Sequence, residues 1–140
     1  MTEELIPKGM GFQPVLWTER FLCAFISHAE QYAYGKITVI KRHLTSSEVF
    51  VLLRGSATLL TADPELSCRK ITELEEGKAF GVEAGTWHYL AVSEDALIFV
   101  TENNDISAEN SETLILEKPW ELNRGRTALH GKGIPQFGHM

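Results

Sequence analysis

From Phe21 to Glu102 the chain alternates short β-prone runs with turn signals, a rhythm that fits an all-β sandwich or barrel and little else. The runs are Phe21–Ser27, Lys36–His43, Glu48–Leu53, Ser56–Thr61, Cys68–Leu74, Ala79–Val82, His88–Val92 and Leu97–Glu102. Valine, isoleucine, phenylalanine and threonine recur in them, as side chains that suit a pleated, half-buried surface. Between them stand Arg54-Gly55, Ala62-Asp63-Pro64, Glu76-Gly77, Ala84-Gly85 and Ser93-Glu94-Asp95, where glycine, proline and aspartate favour chain reversal. At 140 residues there is room for one domain built on one core.

A balance of 44% hydrophobic and 23% charged residues is that of an ordinary folded domain. The formal net charge of −6, with no basic block, argues against a phosphate-binding face and so against nucleic acid as a partner. No apolar run approaches the roughly 20 residues that span a bilayer. The opening MTEELIPKGM has no apolar core of signal-peptide length, and a cytoplasmic setting is expected. Cys23 and Cys68 form no CxxC motif and are expected to be reduced core residues. Residues 1–20 carry Met10, Phe12, Val15, Leu16 and Trp17, enough to dock on a barrel core of about 21–105. Residues 113–140 are expected to form an arm or short helix, the helix near Trp120–Leu129.

Successive strand side chains alternate between faces, so the period of two sorts the inward positions. Val39, Lys41 and His43 share one face with Ile37; Glu48 goes with Phe50 and Leu52; His88 goes with Leu90 and Val92. Two imidazoles and a carboxylate thus stand on apolar faces at strand ends, a plausible metal-ligand set of His43, Glu48 and His88. Val39, Phe50, Leu52, Trp87 and Leu90 are the expected lining of a ligand pocket beside them. A carboxylate facing a core needs a partner to offset its desolvation, and either a metal or Lys41 would serve. The opposite faces, with Val49, Val51 and Leu53, are also apolar, which suggests a second layer or a homodimer interface. No P-loop, nucleophile elbow or dinucleotide fingerprint is present.

The segments around these residues resemble the two cupin motifs. The first reads His-x-His, three or four residues, Glu, six residues, Gly; here His43, Glu48 and Gly55 keep that spacing. The second reads Gly, five residues, Pro-x-Gly, two residues, His, three residues, Asn; here Gly77, Gly85 and His88 fall in place. Three positions depart: Lys41 replaces the first histidine, Glu83 the proline and Val92 the asparagine.

The resemblance, over about residues 30–105, implies a double-stranded β-helix, or jelly-roll barrel, with short terminal extensions. It also implies one divalent transition metal (iron, zinc, manganese or nickel) and a small-molecule ligand in the barrel. The activity implied is a metal-dependent isomerase or epimerase, lyase or dioxygenase acting on a sugar or organic acid. Lys41 is then an acid/base or substrate contact. The alternative is a metal-free binding or assembly cupin in which Lys41 pairs with Glu48.

Overall fold

A computed structural model describes residues 1–120. Among the described residues there are ten strands: β1 Gly11–Trp17, β2 Phe21–Ser27, β3 Ile37–His43, β4 Glu48–Arg54, β5 Ala57–Ala62, β6 Arg69–Glu73, β7 Ala79–Val82, β8 Trp87–Val92, β9 Leu97–Asn103 and β10 Ser111–Trp120. Single 3-10 turns lie at Glu30–Tyr32 and Ala108–Asn110. The strands make two five-stranded sheets, ordered β1-β2-β9-β4-β7 and β10-β3-β8-β5-β6, with every named pair antiparallel.

Each run expected from the sequence is a strand, with ends displaced by at most one residue. The extensions supply two more. β1 carries Pro14, which has no N–H to donate, and it lies on a sheet edge where that group is not needed. β10 occupies residues expected to be an arm; it pairs with β3, placing Ser111 opposite His43 and Leu114 opposite Ile40. The remainder of that segment, 121–140, and with it the helix expected near Trp120–Leu129, lies outside the described residues.

The main core fills the space between the sheets. Ala24 and Ile26 of β2, Phe50 and Leu52 of β4, Leu90 and Val92 of β8, and Ile98 and Val100 of β9 all face inward and are buried. A second cluster gathers the opposite face of the second sheet: Ile40, Leu60, Ala62, Trp87, Tyr89 and Leu116. Tyr32, Tyr34 and Leu66 pack over it from the connecting segments. β3 meets β8 at Lys41 opposite His88, while Ala33 bridges Val92 further along, so the 3-10 turn borders β8 there. Tyr32 on that turn stacks on Tyr89, ring centroids 5.4 Å apart, and touches both clusters.

Gly55 closes the turn after β4 with φ +79°, and a Cβ there would stand 2.6 Å from the Ala96 Cα. Only glycine fits both that backbone and that approach. Of the two cysteines, Cys23 is buried as expected, whereas Cys68 is exposed, because it precedes an edge strand on the turn held by Asp63.

Candidate functional site

His43 ends β3 and Glu48 begins β4, and the intervening turn is tied down on several sides. The Ser46 hydroxyl, buried, accepts from the Asn103 backbone N–H at 2.9 Å, and the Ser47 hydroxyl accepts from Ala84 at 3.1 Å. The Gly85 N–H donates to the His43 carbonyl at 2.8 Å, and that of Leu44 to Asn110 at 2.7 Å. Gly85, at φ +86°, turns the chain into Thr86 and His88. The first sheet therefore delivers Glu48, and the second delivers His43 and His88, to one end of the barrel.

The donor atoms of His43, Glu48 and His88 all lie within 4.8 Å of one another. The side chains are 15%, 7% and 9% exposed. His88 Nε2 stands 2.9 Å from Glu48 Oε1 and His43 Nε2 stands 3.8 Å from it. The imidazole rings sit edge to face, centroids 5.6 Å apart, and Phe50 closes beneath His88 at 6.1 Å.

The outer nitrogens fix the rings. His88 Nδ1 lies 3.0 Å from the Thr86 carbonyl, which can only accept, so Nδ1 carries the hydrogen. His43 Nδ1 bonds the Ser111 hydroxyl at 2.8 Å, from the strand that the sequence left unassigned. A neutral His88 then turns a bare Nε2 lone pair toward a carboxylate oxygen, an arrangement that repels unless a proton or cation lies between them. Glu48 Oε1 has no aligned hydrogen bond despite its closeness to His88. An orphaned buried oxygen beside two oriented imidazole nitrogens fits a divalent cation.

Electrostatics agree with the geometry. Burial pushes the Glu48 carboxyl up, but the closeness and charge of His88, then the charge of His43, hold it below its ordinary value. Burial depresses His88, yet the nearby charge of Glu48 and the hydrogen bond to the Thr86 carbonyl carry it above its ordinary value. Burial, followed by the charges of His88 and Lys41 against that of Glu48, lowers His43, which favours the neutral, ligating form.

Lys41 is opposite His88 in the register but exposed, and among the described residues it makes no ion pair. The pairing of Lys41 with Glu48 is therefore not formed: Glu48 faces His88 instead, while the flexible lysine keeps its ammonium in water. Lys41 acts on the site only as a distant positive charge. Of the residues expected to line a pocket, Phe50, Leu52 and Leu90 lie in the inner core. Val39 and Trp87 do not join them. Trp87 alternates outward from His88, bonds the Pro64 carbonyl at 3.2 Å and lies under the Arg42 guanidinium at 4.6 Å; Val39 packs with the same outer cluster.

By sequence, no family model matches the chain and no curated protein matches it; solved structures do. KdgF from Halomonas is similar at TM-score 0.52 and 15% identity, over 70% of this chain and 81% of that one. QdtA, a sugar 3,4-ketoisomerase from Thermoanaerobacterium thermosaccharolyticum, is similar at 0.53 and 17%, over 64% of each chain. An oxalate decarboxylase gives 0.57 and 17%, over 77% of this chain but only 29% of its own. The chain has the cupin fold.

Two further residues of the site lie outside the motifs. Glu102 of β9 is opposite Glu48 in the register; its side chain is 6% exposed and its Oε1 is 3.7 Å from His43 Nε2. Its signal was legible, since Glu102 follows Ile98 and Val100 at a period of two on the inward face. Tyr32 is half-buried; burial, then Tyr89, Glu48 and Glu102, raise its hydroxyl far above the ordinary phenol value. No alternation marks it, because it sits on a 3-10 turn. Of the cupin departures, Glu83 is exposed on a turn and Val92 is simply core.

Proposed function

We propose that this cupin is a metal-dependent enzyme in which His43, Glu48 and His88 hold one divalent transition metal and a small polar metabolite binds beside it. The observation that carries the reading is the convergence of two oriented imidazole Nε2 atoms on the unpartnered Glu48 Oε1. Iron, zinc, manganese and nickel all suit that donor set. When bound, such an ion supplies a Lewis acid that polarises a carbonyl or activates a coordinated hydroxyl.

The chain's own groups do the rest. Thr86 and Ser111 orient the two rings, while Phe50, Leu52 and Leu90 wall the inner end and limit water. Lys41, at the exposed end, offers a positive charge to an anionic substrate. Tyr32, whose hydroxyl makes no hydrogen bond among the described residues, is free to donate one to a ligand oxygen. A sugar or organic acid fits these groups, a choice supported by the ketoisomerase and decarboxylase neighbours. The reading includes a homodimer, supported by exposed Val49 and Leu53 beside Phe25 and Phe99 on the outer face of the first sheet.

Elemental analysis and titration calorimetry test the metal. Purified protein is expected to take up one ion per chain, with uptake lost in His43→Ala and His88→Ala. Absence of uptake by chelator-stripped wild-type protein from manganese, iron(II), zinc and nickel solutions would sink the reading.

A further inference from the structure

We propose that Glu102 is a fourth ligand in this centre, so that the ion is held by two histidines and two carboxylates. The proposal rests on the metal reading above and concerns a residue outside the cupin motifs.

Glu48 and Glu102 are direct partners across β4 and β9, so their side chains leave the same face of the first sheet. Both are buried, and Oε1 of each lacks a hydrogen-bond partner. Donors that share one ion at about 2.1 Å each can be no more than about 4.2 Å apart. His43 Nε2 stands 3.7 Å from Glu102 Oε1 and 3.8 Å from Glu48 Oε1, and His88 Nε2 stands 2.9 Å from the latter. These three separations satisfy that limit; Glu102 is not among the donors that all lie within 4.8 Å of one another, so joining the other three requires a rotation of its side chain.

Charge gives an independent reason. A dication held by Glu48 alone keeps a net positive charge in a buried site, whereas a second carboxylate cancels it and removes a desolvation cost. Lys41 supplies no inward donor at the position where the motif expects a histidine, and Glu102 supplies one from the neighbouring sheet. The consequence for chemistry is direct. Two carboxylates shift the preference toward manganese and iron(II) over softer ions, and four protein donors leave an octahedral ion two open positions, enough for a chelating hydroxy-acid or hydroxy-ketone.

Cobalt(II) serves as the probe, because its visible absorption reports the ligands and calorimetry gives its affinity. Chelator-stripped wild-type, Glu102→Gln, Glu102→Ala and Glu102→His proteins are compared, with circular dichroism to verify folding. Wild-type protein is expected to bind one cobalt per chain. Glu102→Ala should bind at least 100-fold more weakly and Glu102→Gln at least tenfold, each with an altered absorption band. Glu102→His should recover most of the affinity, because histidine is itself a donor. Unchanged affinity in the folded Gln and Ala variants overturns the proposal. So does weaker binding with the wild-type absorption band, which would mark a role outside the coordination shell. Failure of the wild-type protein to bind cobalt or manganese defeats the metal reading itself and is thereby distinguished from both.

Discussion

Burial pushes the Glu102 carboxyl from its ordinary 4.5 to about 8, with the charge of Glu48 adding to it. In the unfolded chain that proton leaves near 4.5, whereas the folded metal-free protein keeps it to about 8. The stability it contributes is complete below 4.5 and is lost as pH rises through that interval. Glu48 has the opposite sign: its pKa is lowered, so its contribution is present above 4.5 and is lost in acid. His88, raised above 6.5, contributes fully below that value and loses its contribution as pH rises through its folded pKa. Metal-free protein is therefore expected to be most stable near pH 5, at about the ordinary carboxylate value and below that of histidine. In urea melts with chelator present, Glu102→Gln should exceed wild type at pH 8 by about 1–3 kcal/mol, a gap that closes toward pH 5. A gap independent of pH would contradict this assignment. Lys41→Ala should leave stability within about 0.5 kcal/mol of wild type, as exposed substitutions do. It should tighten metal binding by about two- to fivefold by removing a nearby like charge, measurable by calorimetry; weaker binding would instead make Lys41 a supporting residue.

Strand existence was legible because β-prone residues and turn residues agree in the runs between Phe21 and Glu102. It failed where the local signal is mixed. β1 is interrupted by Pro14, and β10 reads Ser-Glu-Thr-Leu-Ile-Leu-Glu-Lys-Pro-Trp, with charges at both ends. Alternation misplaced Val39, because inward and outward cannot be told apart when both faces of a sheet are covered, whereas Trp87 was put beside the pocket for its adjacency to His88 against its own alternation. Two turn glycines separate backbone strain from crowding. Gly85→Ala meets nothing within 4 Å and should cost only the left-handed backbone penalty, about 1–2 kcal/mol. Gly55→Ala adds a collision with the Ala96 backbone and should cost about 3 kcal/mol or more. Chemical denaturation of the two variants gives the comparison, and equal losses would show that the turn after β4 gives way easily.

At the scale of the molecule, the candidate ligands His43, Glu48 and His88 each lie in a recognisable motif, whereas Glu102 lies in none, and alternation marks it as inward without showing that it faces Glu48. Long-range register is invisible to spacing. The outer face of the first sheet poses a related question. Phe25, Phe99 and Val51 are cross-strand neighbours there, with Val49 and Leu53 exposed beside them. The double variant Val49→Glu, Leu53→Glu should sediment as a monomer at concentrations where the wild type sediments as a dimer. Its melting temperature should fall by no more than the lost association allows. A wild type that sediments as a monomer would leave that face to another role.

The four acidic and imidazole side chains also have a mechanical meaning. Glu48 and Glu102 hang from one sheet, and His43 and His88 from the other. A single ion gripped by all four would act as a rivet through the two walls. Each part of its affinity would then resist their separation, about 2.7 kcal/mol when free ion exceeds the dissociation constant a hundredfold. Supply of metal would set how rigid the walls are as well as what reaction they host.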